Sequence, residues 1–456
     1  MISNLYNHLD QITPFELTPT RLIIMGYLVV ILTGALLLTL PVATQSGEAT
    51  PFINALFTST SAVCVTGLIV VNTAAHWSLF GQVVILVLIQ IGGLGIMTLS
   101  TLAIVLIGKK ILLSERLLIQ QDLGHLTQSG LLKLVKYIIT LTFVAEATGT
   151  LLLFYSLIGD KEPLTAAWHA LFHSVSAFNN AGFDIFGDSL EGFTGNIVVN
   201  LTIISLIVLG GLGFTVIYEY GSKLFSTGKQ RKLSLHSKTV FIATVTLLIL
   251  GIVVIYGLEM NNPETMGGLS GGNRLLASFF LSVTPRTAGF NTVPTGALTT
   301  ATLVFVIFLM YVGASPGSTG GGIKTTTFAA LLKQLYAYVF GKRDVTSFNR
   351  RLSQGLVRKA MVIGFLALAL IFVSSFLLSI TENAEFLDIL FESTSAFGTV
   401  GLSTGITGEL SFFGRLIIII TMFAGRLGPL TLAIGLSRAE KNKVNYRYPE
   451  EDIMVG

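Results

Sequence analysis

Apolar runs of about 20 residues recur along the whole chain, at 22–40, 83–107, 197–217, 240–258, 360–380 and 416–436, with a shorter one at 303–312. A helix rising 1.5 Å per residue needs roughly 20 such residues to cross a hydrocarbon layer of about 30 Å. Of the 456 residues 52% are hydrophobic and 11% charged, far from a soluble globular balance. The chain therefore reads as an all-α polytopic membrane protein. The first run has only Arg21 beside it and exceeds a signal-peptide core, so it is expected to be a retained first span. The lone cysteine, Cys64, excludes an internal disulfide. The short polar loops leave no room for a soluble domain, so any regulatory domain must come from another chain.

The charges alternate in sign from loop to loop. Basic clusters stand at Lys109, Lys110, Arg116, Lys133 and Lys136, at Lys223, Lys229, Arg231, Lys232 and Lys238, and at 333–359 and 438–447. The intervening loops carry Glu48, Asp160, Glu162, Asp184, Asp188, Glu191, Glu259, Glu264, Glu382, Glu385, Asp388 and Glu409. The positive-inside rule puts the basic loops and both termini in the cytoplasm and the acidic loops outside. An acidic outer rim would also attract cations.

Four words align without gaps: "TSAVCVTGL", "VSAFNNAGF", "SVTPRTAGF" and "TSAFGTVGL". Their glycines, Gly67, Gly182, Gly289 and Gly401, are 115, 107 and 112 residues apart. Such a period implies four structural units. Each unit has an apolar span, a short helix-compatible segment, the glycine word and a second span. The short segments, 51–62, 164–177, 273–283 and 384–396, are too brief to cross the bilayer and are expected to be re-entrant half-helices. Irregular backbone at membrane depth is tolerated only when shielded by protein or lining a wet cavity. Half-helices aimed inward would bring partial negative charge to an axis lined by the glycine words, which favours a cation. Word carbonyls would replace its water shell, and glycine lets them aim together by adopting backbone angles closed to other residues.

At this point the chain resembles the membrane subunit of the Trk/Ktr/HKT superfamily of potassium transporters, most closely the bacterial Ktr type. The words themselves carry the likeness, together with "IGGLGIMT", "GGLGFTV", "GASPGSTGGGIKTTTF", "GRLGPLT" and the ending "RYPEEDIMVG". The resemblance implies four M1-P-M2 repeats with pseudo-four-fold symmetry around a central pore, at 1–125, 126–234, 235–348 and 349–440, followed by a cytoplasmic tail at 441–456. Eight full spans and four half-helices follow from it. It puts the filter glycines on Gly67, Gly182, Gly289 and Gly401, with preceding carbonyls from Val65 and Thr66, Asn180 and Ala181, Thr287 and Ala288, and Thr399 and Val400. Glycine rather than serine at position 67 implies potassium as the transported ion. A sodium-selective or sodium/potassium cotransporting relative is the alternative. The third word departs from the others at Pro285 and Arg286, and the Arg286 side chain is expected behind the filter.

The segment 313–327, "GASPGSTGGGIKTTT", cannot hold a straight helix and is expected to be an intramembrane loop. The resemblance makes it a gate just below the filter, carried by Gly313, Ser315, Gly317, Ser318, Thr319, Gly320, Gly321, Gly322 and Lys324. It is no Walker A loop, because Ile323 separates glycine from lysine. Arg426, inside the last apolar run, costs about 2.5–3.5 kcal/mol to insert and should face the pore and be paired. By resemblance it is a barrier or latch beside the loop. Glu146, the other lone intramembrane charge, receives no function.

Enzyme chemistry is not indicated. His169 and His173 lack the glutamate of a metalloprotease motif, and Cys64 has no activating partner. The half-helix precedes its word in every unit, which gives all four one orientation and favours a channel-like path over an inverted-repeat transporter. The resemblance further implies a multi-pass plasma-membrane homodimer on a cytosolic ring of nucleotide-binding RCK subunits. ATP or ADP would bind that partner and sodium would act as activator. No covalent cofactor and no nucleic acid enters this reading.

Overall fold

The computed structural model describes residues 19–95, 131–159, 161–224 and 233–436, and singly 449, 451 and 454. The two termini, Asp160, the basic residues Lys109, Lys110, Arg116, Lys229, Arg231 and Lys232, the 438–447 cluster, the end of the 83–107 run and most of the tail lie outside them.

Four long helices, α1 (Pro19–Thr39), α4 (Leu131–Leu157), α8 (Leu235–Glu259) and α12 (Gln354–Thr381), are the first spans. Each contains a stretch long and apolar enough to cross a membrane. Their outward positions are large and apolar, with Val29 61%, Leu151 69%, Val253 64% and Phe365 73% exposed, which suits lipid rather than water. Each is followed by a half-helix: α2 (Phe52–Cys64), α5 (Pro163–Phe178), α9 (Gly271–Val283) and α13 (Phe386–Gly398).

Second helices then return: α3 (Leu79–Leu94), α6 (Ile197–Leu212), α10 (Thr300–Tyr311) and α14 (Phe412–Leu427). All four start on a side-chain cap, in which Ser78, Asn196, Thr299 and Ser411 accept from Gly81, Val199, Thr302 and Gly414 N–H. A cap of this kind contributes about 1 kcal/mol. Besides the interruption expected at 313–327, two further second-span runs are broken. The 197–217 run breaks at Gly213, φ 92°, and α7 (Phe214–Leu224) leaves at 100° to α6. The 416–436 run breaks at Gly428, φ 85°, before Pro429 opens α15 (Pro429–Leu436). Glycine in a left-handed conformation ends a helix, and proline can only begin one.

Small residues set the packing. On the first spans, Gly34, Gly149 and Gly251 face Ser59, Ser174 and Ser282, so closely that a Cβ would lie 2.5, 2.5 and 2.2 Å from the serine oxygen. Those serines donate to the carbonyls of Ile31, Glu146 and Leu248 on the spans. Close backbone approach with hydrogen bonds replaces the hydrophobic drive that lipid removes. Each second helix also packs on the next half-helix: α3 on α5, α6 on α9, α10 on α13, and α14 back on α2. The elements thus close a ring in chain order.

A short hairpin, β1 (Thr346–Ser347) with β2 (Arg350–Arg351), follows α11 (Thr325–Val339).

Candidate functional site

The half-helices deliver their words to the centre of the ring. After Cys64, Phe178 and Gly398 the chain turns into extended segments, and Thr66, Ala181 and Val400 donate back to the carbonyls of Ser61, Ser176 and Ser395. Ser61 and Ser395 also accept, through their hydroxyls, from Gly67 and Gly401 N–H at 3.1 Å. The end of the half-helix and its word are therefore one hydrogen-bonded unit.

Two residues per word are left-handed. The glycines have φ of 92°, 68°, 81° and 94°, and Val65, Asn180, Thr287 and Thr399, two residues earlier, have φ of 57°, 58°, 74° and 49°. Left-handed backbone at a β-branched residue costs about 1–3 kcal/mol and persists only where the surroundings impose it. Residues of alternating hand turn successive peptides so that their carbonyls face one side, as coordination of one axial cation requires.

The four words meet one another. A Cβ on Gly67 would lie 2.6 Å from the Ala181 carbonyl oxygen, on Gly182 2.7 Å from that of Ala288, on Gly289 2.5 Å from that of Val400, and on Gly401 2.3 Å from that of Thr66. The contacts run from word one to two, three, four and back to one. Thr66, Ala181, Ala288 and Val400 are fully buried. Above Gly67 and Gly401 opens a cavity of about 200 Å³, lined further by Ser403, Gly405 and Thr407.

The third word differs, as expected from Pro285. Ala288 N–H donates to the Thr284 carbonyl, four residues back instead of five. Arg286 is 7% exposed and points away from the ring towards Thr244 on α8.

Segment 313–327 lies directly beneath. The chain leaves α10 at Val312, which bridges Ile323, and re-enters helix at Thr325. Gly313 is packed against the Gly321 carbonyl. Ser315 and Thr319 donate to Gly211 and Gly210 of α6, and the Gly317 carbonyl accepts from Phe214. Gly317 and Gly322 are left-handed, with φ 66° each. Gly320 abuts the Thr287 hydroxyl, and Gly321 N–H donates to Thr399 Oγ1 at 3.1 Å. Ser318 Oγ donates to the Ser315 carbonyl at 2.6 Å, and Lys324 Nζ to that of Gly320 at 2.6 Å. The loop therefore touches the undersides of words three and four. Through Thr319 it also reaches the Phe178 carbonyl and Asn180 in word two.

Arg426 completes the set. Its guanidinium donates to the carbonyls of Thr319 in the loop and Gly92 at the end of α3. The sequence argument asked for a paired, inward-facing charge, and the partners are backbone carbonyls instead of a carboxylate.

Several contributors were not singled out from the sequence. A Cβ on Gly92, Gly210 or Gly425 would lie 2.1, 1.9 or 2.0 Å from the carbonyl oxygen of Val63, Phe178 or Phe397, four residues before each word's glycine. The signal was present in "GGLG", "GGLG" and "GRLG", which recur 24 to 28 residues after the word glycines. Acidic residues expected on an outer rim prove to be partly structural. Glu259 binds Thr299 N–H and hydroxyl, and Glu382 binds those of Ser411, so each ties a first span to the start of its second helix. Glu191, outside the spans, accepts from Asn291, and burial pushes its carboxyl up from the usual range. Glu146 accepts from Asn179, which also reaches Gln90. Among the described residues no group of three or more His, Cys, Asp and Glu side chains could hold a metal ion.

This geometry has counterparts. Residues 7–445 match the TrkH family, described as a cation transport protein. The chain is 41% identical to Ktr system potassium uptake protein B of Bacillus subtilis, covering 96% of this chain and 97% of that one. It is 43% identical to the protein of the same name from Vibrio alginolyticus, with coverage of 96% and 94%. It is 41% identical to the potassium/sodium uptake protein NtpJ of Enterococcus hirae, over 97% and 98%. The crystal structure of the potassium transporter TrkH from Vibrio parahaemolyticus superposes with a TM-score of 0.70 at 19% identity, covering 90% of this chain and 84% of that one, and so shares its fold. With a match spanning nearly the whole sequence and relatives that are transporters, not enzymes, the chain belongs to the TrkH family of cation transport proteins.

Proposed function

We propose that this protein takes up potassium across the plasma membrane through a selectivity filter formed by its four glycine words. The observation that carries the reading is the closed ring of Gly67, Gly182, Gly289 and Gly401, each against a carbonyl of the next word. Such a ring supplies oxygen ligands in place of water to a dehydrated monovalent cation. The four units, pseudo-four-fold about this axis, would extend over 1–125, 126–234, 235–348 and 349–440. The driving force is an inside-negative potential, about 2.3 kcal/mol per charge per 100 mV. The 313–327 loop, with Arg426 and Lys324, is the gate: it spreads under three words, carries Lys324 and is bonded by Arg426 of α14, so it opposes the ion sterically and by charge.

The Ktr system named in two relatives supports a two-component assembly. In this reading a homodimer, with cytoplasmic termini, sits on a cytosolic RCK ring that binds ATP or ADP, and sodium acts as activator. Sodium as a co-transported ion is the second reading, favoured by the potassium/sodium name of the Enterococcus relative.

Flux into proteoliposomes with an imposed inside-negative potential tests both. Potassium influx several-fold above sodium is expected. Equal or larger sodium influx would move the assignment to the second reading, and no cation influx with an RCK partner and nucleotide present would refute both.

A further inference from the structure

Glu392 is fully buried on α13, nine residues before Gly401, and among the described residues no cation is paired with it. Its Oε1 accepts from the Thr407 hydroxyl at 2.5 Å. The Thr407 and Ser403 oxygens are 2.9 Å apart, and Gly405 N–H donates to Ser403 Oγ at 3.0 Å. Thr407 Oγ1 therefore stands between the Glu392 carboxyl and the Ser403 hydroxyl. The result is a hydrogen-bonded chain that links Gly405 N–H, Ser403, Thr407 and Glu392. Hydrogen bonds in such a series polarise one another.

The chain holds a particular piece of backbone. Ser403, Gly405 and Thr407 line the cavity above Gly67 and Gly401. Glu392 itself does not line it, but two hydroxyls connect it to the residues that do. The equivalent register in the other words carries Thr58, His173 and Phe280. In word two, which the ring sets opposite word four, His173 serves the same end. Its Nδ1 donates to the His169 carbonyl at 2.7 Å, which leaves Nε2 to accept from Ile185 N–H at 3.4 Å, three residues past Gly182. Two opposed words thus have a half-helix side chain holding the segment that leaves the filter. The other two have a threonine hydroxyl without a partner and a phenylalanine.

We infer that Glu392 is a positioning residue for the outer mouth of the filter: through Thr407 and Ser403 its carboxylate fixes the exit segment of word four and so sets how selectively the outermost cation is held. This inference rests on the reading of the words as a filter. The experiment measures potassium influx against external potassium, and the potassium-to-sodium flux ratio, in proteoliposomes containing the full chain and four variants. E392L and T407V remove the strut, E392Q keeps an acceptor at Oε1, and T407S restores a hydroxyl. E392L and T407V should raise half-saturating potassium several-fold and lower the flux ratio several-fold, with maximal rate within about twofold, while E392Q and T407S stay within about twofold of the parent in all three. T407V deletes a single hydroxyl and carries the test should E392L not assemble. Unchanged half-saturation and ratio in T407V would overturn the inference. So would a fall in maximal rate alone, the mark of a packing role, or an E392Q as impaired as E392L, the mark of the charge acting directly. A parent protein that conducts neither ion would instead bring down the filter reading itself.

Discussion

At Gly67 a side chain has no room on either count: φ is 92°, and a Cβ would press on the Ala181 carbonyl at 2.6 Å. Serine there must push one quadrant of the ring outward, which loosens the fit to a dehydrated ion. Gly67→Ser is expected to lower the potassium-to-sodium flux ratio by about tenfold, equivalent to about 1.4 kcal/mol of lost discrimination. Dual-isotope influx checks it, and an unchanged ratio would take Gly67 out of the filter. Arg426 acts differently, since it ties a carbonyl of the loop, Thr319, to one at the end of α3, Gly92. Arg426→Ala should raise potassium flux in the absence of partner several-fold. Arg426→Lys should recover only part of the closure, because one ammonium cannot span two carbonyls as a planar fork does. Unaltered flux in Arg426→Ala would leave the residue structural.

At the scale of elements, the second helices must approach the half-helix ends more closely than any side chain allows. Gly425→Ala would place its Cβ 2.0 Å from the Phe397 carbonyl, a fixed atom of the backbone. Gly149→Ala meets the Ser174 hydroxyl at 2.5 Å, which can rotate away. Thermal unfolding in detergent should therefore rank Gly425→Ala as the more destabilised, by about 1–3 kcal/mol, with Gly149→Ala nearer to the parent. Equal shifts would remove the distinction between backbone and side-chain contact. These contacts also explain what sequence reasoning reached and what it did not. The four half-helices were legible within a residue or two at their inner ends, because a short apolar segment followed by a glycine word has few other solutions. The break at Gly213 was not, since hydropathy runs straight through it and only the left-handed backbone marks it, whereas at Gly428 the following Pro429 was the signal. Nor was the left-handed conformation of Val65 and Thr399 legible: nothing in a valine or threonine announces it, and the ring imposes it from outside. Glu259 and Glu382 read as surface charge, although their carboxylates cap helices.

For the whole molecule, the 313–327 loop is bonded to all four units at once, to α6 by backbone bonds, to words three and four by threonines, and to α3 through Arg426. A regulator that shifts any one of these helices from the cytoplasmic side changes the loop. Flux should accordingly rise when an RCK partner and ATP are added to proteoliposomes, and rise much less in Arg426→Ala, which is already released. An equal increment in parent and variant would uncouple the partner from this latch. Closure of the ring has its own consequence for how such a chain is made. Gly401 meets Thr66, and Arg426 reaches back to Gly92, 334 residues earlier. A nascent chain that has inserted only three units has neither a closed ring of words nor the arginine that bonds the loop. If the words are the filter proposed above, ribosome-bound intermediates are born without a conducting path, and the final quadrant arrives together with its own lock.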